Sequence, residues 1–285
     1  MLFMGELTVG VASMQDVVRR LREWADEEGW NPGESDGQAF LAADPHGFLV
    51  GRLNGEAVAS ISAVRYGADF GFIGFYIVRP ELRGQGYGLQ VWKAGMAHLE
   101  GRNVALDGVV ERQADYRKSG FRRAWNHVRY EGVPHGAEPV GDVALVDARA
   151  IPFDRLAAYD RRFFPTARDA FLASWVSLSD RTALAAVRDG ELQGFGVLRP
   201  AAGASRIGPL YAASEDVALS LMAALAGAVP GLPIAIDVPD ANKASVALVE
   251  RLGLQATFEA ARMYTGPVPN VDLSGIYATT SLELG

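Results

Sequence analysis

The chain has 285 residues, 49% of them hydrophobic and 21% charged, with a net charge of −7 and no cysteine. That length accommodates two domains of ordinary size, and the composition is that of a soluble globular protein. The missing cysteines remove disulfides, thiolate metal sites and a cysteine nucleophile, and the acidic balance argues against a nucleic-acid binder, which carries a basic face. No run reaches the 18 apolar residues of a membrane span. Met1–Glu6 lacks the basic region of a secretory signal, so a cytoplasmic protein away from the membrane is expected.

In chain order, Ser13 with Asp16 three residues on marks a helix start. Met14, Val17, Val18, Leu21, Trp24 and Ala25 then share a face, and Gly29 ends the helix. Phe48–Leu53 reads as a strand, Asn54-Gly55 as a hairpin turn and Ala57–Val64 as the return strand. A further apolar strand, Phe72–Val78, runs into Arg83-Gly84-Gln85-Gly86-Tyr87-Gly88, after which Leu89, Trp92, Met96 and Leu99 repeat at helical spacing. Val104–Val110 reads as a strand, Arg112–Ser119 as a short helix stopped by Gly120, and Trp125–Tyr130 as the last strand of this half. Glycines and prolines then mark residues 133–142 as a linker. The expected domains are 1–132 and 143–285.

The second half repeats the first faintly. Asp189-Gly190 echoes Asn54-Gly55, Ile207-Gly208 echoes Ile73-Gly74, Ile236-Asp237 echoes Leu106-Asp107, and Gly253-Leu254 echoes Gly120-Phe121. These landmarks keep their order at offsets of roughly 130–135 residues, the mark of a duplicated domain.

The glycine turn exposes backbone N–H groups at a helix N-terminus, where the dipole also favours an anion such as a pyrophosphate. A Walker loop would need Gly-Lys-Ser/Thr where Gly88-Leu89-Gln90 stands. A dinucleotide fingerprint would need its third glycine at Leu89. Arg83-x-x-Gly86-x-Gly88 after a strand ending Val78-Arg79-Pro80 instead resembles the coenzyme A loop of the GNAT acetyltransferase superfamily. Tyr116-Arg117-Lys118-Ser119-Gly120-Phe121 is similar to that family's Tyr-x-x-x-Gly-Phe segment. Val109 departs from it, standing where the family often carries an Asn. The resemblance covers roughly residues 6–131, and the rest is similar to the degenerate domain of a two-domain bacterial subgroup.

The resemblance implies an α/β (α+β) fold of tandem domains, each a mixed, mostly antiparallel sheet flanked by helices. It also implies an N-acetyltransferase that uses acetyl-CoA as cosubstrate, needs no metal and acts by direct attack of a small-molecule amine in a ternary complex. Cofactor contacts would come from Tyr76, Ile77, Val78, Arg83, Gly84, Gln85, Gly86, Tyr87, Gly88 and Leu89. Gly86 and Gly88 let the backbone approach phosphate oxygens, Arg83 adds a permanent cation, and the edge at Tyr76–Val78 suits an extended, amide-bearing arm. Tyr116 is the candidate acid for the departing thiolate, and a strand N–H near Tyr76 or Ile77 the oxyanion donor. The base is open among Asp107, Glu34, Asp36 and a water chain; Asp107 is the nearest in sequence, but its echo Asp237 in the second half favours a structural role for it. The local basic cluster Arg117, Lys118, Arg122 and Arg123 suits either the 3′-phosphate of the cofactor or a solvated helix face.

The second half lacks the loop: Pro209 interrupts its strand, Ala212-Ala213-Ser214-Glu215-Asp216 replaces the glycines with acids, and Val249 stands in place of the tyrosine. It is expected not to catalyse but to close the acceptor pocket, with Arg262-Met263-Tyr264 and Val271–Gly285 completing the pocket or the sheet. A monomer or homodimer is expected. The alternative function is a non-catalytic acyl-CoA sensor using the same loop.

Overall fold

A computed structural model describes residues 6–285; the signal-sequence reading of the first residues lies mostly outside them. The first helix begins as the sequence predicts. Ser13 Oγ accepts from the Asp16 N–H and Asp16 Oδ2 from the Ser13 N–H, each at 3.1 Å. A π-helical turn, Asp16–Arg20, leads into α1 (Leu21–Glu27), and α2 (Asp36–Ala43) follows.

The first-half strands are β1 (Leu7–Val11), β2 (Phe48–Leu53), β3 (Glu56–Tyr66), β4 (Phe70–Val78), β5 (Asn103–Val109) and β6 (Arg122–Gly132). Between them lie α3 (Tyr87–His98) and α4 (Gln113–Lys118). The second half contains β7 (Ala144–Asp147), α5 (Phe153–Asp160), α6 (Asp169–Ser177), β8 (Thr182–Arg188), β9 (Glu191–Arg199) and β10 (Ser205–Ala212). It continues with α7 (Glu215–Gly227), β11 (Ile234–Pro239), α8 (Lys243–Arg251), β12 (Gln255–Tyr264) and β13 (Ile276–Ala278). Among the described residues, no helix is long and apolar enough to cross a membrane.

The duplicated hairpins are present. Asn54 and Asp189 both have φ +52°, and Gly55 and Gly190 have φ +88° and +79°. Such consecutive left-handed residues match the twist of a two-residue hairpin.

The strands form one sheet in the order β1-β2-β3-β4-β5-β12-β6-β11-β10-β9-β8-β7, with β13 paired to β10. The halves therefore exchange their last long strands. β12, from the second half, pairs antiparallel with β5, and β6, from the first, pairs antiparallel with β11. Two buried ion pairs face each other across these seams. Arg262 stands opposite Asp107, and Arg129 opposite Asp237, each within 2.8 Å of its partner.

The cores follow the exchange. Ala261 and Met263 of β12 pack with Ile61, Val91 and Phe121 of the first half, while Tyr130 of β6 packs with Leu221 and Leu248 of the second. A third core joins the halves over the opposite face, where Phe40 of α2 stacks on Trp175 of α6 with ring centroids 5.9 Å apart.

Candidate active site

β4 and β5 run parallel and pair from Phe70 with Asn103 to Ile73 with Leu106. Beyond that point they diverge, while β4 stays bonded to β3 through Ile77–Ser60 and Val78–Ala59. The divergence leaves the edge Tyr76–Val78 open on the β5 side, above a cleft of about 740 Å³. The glycine loop caps one end of it. Gly84 and Gly86 are left-handed, with φ +77° and +85°, and a Cβ at either would stand in open space. Gly86 is the residue before the first turn of α3. Among the described residues, the N–H groups of residues 84–89 find no acceptor, and Gln90 is the first to bond, to the Gly86 carbonyl at 3.4 Å. A row of unpaired donors at the start of a 12-residue helix is the arrangement that holds a pyrophosphate.

Gly88 has a different reason to be glycine. A Cβ there would lie 2.8 Å from the Tyr76 hydroxyl, so the phenol packs directly beneath the loop. Arg83 donates from Nε to the Val78 carbonyl at 2.9 Å and pairs with Glu28, bridging the loop to the end of α1. Leu89 lines the cleft and is exposed, whereas Tyr87 is buried in the α3 core.

Aromatic rings line the cleft wall. Tyr76 lies 5.3 Å from Trp92, Trp92 lies 5.6 Å from Tyr116, and Tyr116 meets Phe121 edge-on at 6.3 Å. Gly108 makes room for Tyr116, since a Cβ there would lie 2.8 Å from the ring. Burial, and next the neighbouring Tyr76, push the Tyr116 hydroxyl well above the usual tyrosine range, with Arg112 pulling back less. Like any tyrosine, Tyr116 is protonated at neutral pH, the state a general acid needs, and the upward shift makes it a weaker acid than a solvated phenol.

The bulge sits at Phe75. The register of β4 against β3 slips between Ser60 and Ser62, and Phe75 has φ +44°, a left-handed value unusual for a bulky residue. The Ser60 hydroxyl donates to the Phe75 carbonyl at 2.8 Å, and the Phe75 ring packs edge-on against Phe40 at 5.8 Å. In a trans peptide the N–H points opposite to the carbonyl. With the Phe75 carbonyl taken by the Ser60 hydroxyl, the Tyr76 N–H points the opposite way, and Tyr76 itself lines the cleft.

The carboxylates require correction. Asp107 lines the cleft but is fully engaged: Oδ1 takes bonds from Arg262 and His127 at 2.9 Å, and Oδ2 one from Arg262 at 2.8 Å. Burial would raise its pKa, but Arg262 and then His127 outweigh that and hold the carboxyl below the usual range. A doubly bonded, weakly basic carboxylate is a poor proton acceptor, so Asp107 is the seam residue between β5 and β12. Asp36 is likewise buried between Arg181 and Arg199, at 2.8 and 3.1 Å. Glu34 is exposed and does not line the cleft. Arg117, Lys118, Arg122 and Arg123 are exposed, with Lys118 bonded to Asp115 at 2.9 Å.

Sequence reasoning missed Glu283. The C-terminal tail threads into the cleft, where Leu282 and Glu283 form part of the lining. Glu283 is 3% exposed, and its Oε2 is buried without a hydrogen-bond partner. A lone acid in the apolar tail Leu282-Glu283-Leu284 is the one signal that marked it. No group of side chains suited to a metal is present among the described residues.

Comparison with known proteins accords with this geometry. A profile described as "Acetyltransferase (GNAT) family" matches residues 15–121, and one described as "Acetyltransferase (GNAT) domain" matches residues 156–278. The holothin acyltransferase of Pseudoalteromonas sp. (strain SANK 73390) is 33% identical over 267 residues, spanning 93% of this chain and 90% of that protein. The chain belongs to the GNAT acyltransferase family. This tandem GNAT acyltransferase shares its fold with a putative acetyltransferase from Pyrococcus horikoshii (TM-score 0.81, 21% identity, 100% of this chain and 98% of that one). A tandem GNAT protein from the clavulanic acid biosynthesis pathway also aligns, with TM-score 0.65 and 16% identity over 92% of this chain and all of that one.

Proposed function

We propose that this acyltransferase moves an acetyl group from acetyl-CoA to the amine of a small molecule by direct attack in a ternary complex, and that each chain has one such site. The observation that carries this reading is the convergence on one cleft of three features: the unpaired N–H row at residues 84–89, the open edge Tyr76–Val78, and the half-buried phenol of Tyr116. The donors of residues 84–89 would hold the pyrophosphate, and the open edge would bond the amide arm. The Tyr76 N–H would stabilise the oxyanion. Tyr116 would hand its proton to the sulfur as it leaves. The relative's name, holothin acyltransferase, makes holothin a reasonable first acceptor to try. The shared sheet gives each half its partner within one chain, which supports a monomer or a homodimer.

The test is release of free thiol from acetyl-CoA with a panel holding holothin, a polyamine, an aminoglycoside and several amino acids. Thiol release that depends on one class of amine is expected. Tight acetyl-CoA binding with no release on any amine would favour a sensor instead.

A further inference from the structure

We propose that Glu283 is the catalytic base that takes the proton from the acceptor amine, delivered into the first-half cleft by the C-terminal tail. This rests on the acyl-transfer reading above and adds to it a residue from the far end of the chain.

Geometry sets Glu283 beside the reacting centre. Its backbone lies against Gly74, where any Cβ would collide with the Glu283 carbonyl. Gly74 immediately precedes the Phe75 bulge, and Gly74, Phe75 and Tyr76 all line the cleft. The tail is fixed on both sides of the residue. Arg168 donates to Thr280 Oγ1 at 2.8 Å and to the Gly285 carbonyl at 3.0 Å. The Tyr66 hydroxyl donates to the Leu284 carbonyl at 3.1 Å, and the Leu284 N–H to Ser281 Oγ at 3.1 Å. A carboxylate so held is pre-positioned, while its own oxygens are not used to hold it.

Of the other acids of the cleft, Glu111 is exposed to solvent, and the remaining three are held by cations. Asp107 is bound by Arg262 and His127, Glu28 by Arg83, and Asp115 by Lys118 at the exposed mouth. Below Glu283 lies a layer of charges, in which Arg129 and Arg206 bind Asp237 and Arg199 binds Asp36. Burial pushes the Glu283 carboxyl above the usual range. Arg206, Arg129 and Arg199 pull it back, and Asp36 pushes it further up. A buried carboxylate that is hard to keep ionised is a stronger base than a solvated one. Burying such a group without a partner is costly, and that cost is the mark of a functional rather than a structural acid.

The acceptor enters as an ammonium and gives one proton to the Glu283 carboxylate. The nitrogen lone pair forms a bond to the thioester carbonyl carbon, and the carbon–sulfur bond breaks. The sulfur takes the hydroxyl proton of Tyr116, and the second proton of the nitrogen returns through water to the Tyr116 phenolate. Glu283 releases its proton to solvent as the amide leaves. One ammonium and one thioester become one amide, one thiol and one free proton.

The experiment compares two nucleophiles on Glu283→Gln with acetyl-CoA: the best amine of the panel, which must lose a proton, and hydroxylamine, which is already uncharged at neutral pH. Amine turnover is expected to fall about 100- to 10,000-fold, the span of a general base. Hydroxylamine turnover, corrected for the uncatalysed reaction, is expected to stay within about threefold, since it bypasses that base. Acetyl-CoA affinity should be unchanged. Loss of both nucleophiles alike, or of neither, overturns the proposal. The folding control is the melting temperature at pH 8. A carboxyl with a raised folded pKa weakens the fold once pH exceeds its unfolded value, so the variant should melt at or above wild type. Should Glu283→Gln nonetheless fail to fold, Glu283→Asp carries the test. Its amine turnover must fall while hydroxylamine turnover holds, and equal effects on both contradict the role. A wild-type enzyme inactive on every amine would instead defeat the acyl-transfer reading itself.

Discussion

The two halves carry the same splayed pair of parallel strands, and they differ in what fills the splay. In the first half, β4 and β5 part after Ile73 and Leu106, and the space between them is the cleft. In the second, β10 and β11 pair from Ser205–Ile234 to Ile207–Ile236 and then part in the same way. There β13 enters the gap. It pairs with β10 at Leu210 and Tyr211, and the Thr279 N–H bonds the Asp237 carbonyl at 3.0 Å. Asn242, at the position where the first half has Val109, donates to the Ser274 and Ile276 carbonyls at 3.0 Å and so holds this plug. The helix after β10 is closed as well, with Ser214 accepting from Val217 N–H and Glu215 and Asp216 in its first turn. One half thus satisfies its own edge and helix start, while the other leaves both open. The same tail that plugs the second splay goes on to bring Glu283 into the first.

The largest effect that sharpens this comparison concerns the seams. Asp107→Asn should leave Arg262 buried without its counter-charge and destabilise the chain by about 3–5 kcal/mol in urea unfolding, as for any broken buried pair. A catalytic acid with no seam role would instead lose turnover at unchanged stability. The seam acids also set acid sensitivity. Their folded pKa values lie below the unfolded one. Their contribution is therefore present above about pH 4 and is lost as pH falls through the folded values. Next, Tyr116→Phe should cut turnover about 10- to 1000-fold, near the range of general acids, with acetyl-CoA affinity little changed. Unchanged kinetics in Tyr116→Phe would remove the phenol from the mechanism. The smallest effect is that of Ser60→Ala. Losing the bond to the Phe75 carbonyl should cost about 1 kcal/mol of stability and slow turnover severalfold by loosening the bulge.

What was legible in the sequence was local. The capping pair Ser13–Asp16, the Asn54-Gly55 turn with its echo at Asp189-Gly190, and the glycine loop each depend on neighbouring residues, and each is where the pattern placed it. The strand exchange was not legible, because β6 and β12 have the same apolar pattern whichever half they join. Asp107 stayed a candidate base beside its structural reading for the same reason. Its partner Arg262 lies 155 residues away, and only the exchange brings the two together. Glu283 was hidden by distance too, 209 positions from the Gly74 it rests on in space.

The central claim is that the open half alone takes the acyl-CoA. Calorimetric titration of the whole chain with acetyl-CoA, beside Gly86→Glu, tests it most directly. The account predicts one site per chain, weakened at least about 100-fold by the substitution, or about 2.7 kcal/mol. The added side chain would sit at a left-handed position and aim a negative charge at the phosphates. Two sites per chain, or undiminished binding in Gly86→Glu, would contradict it.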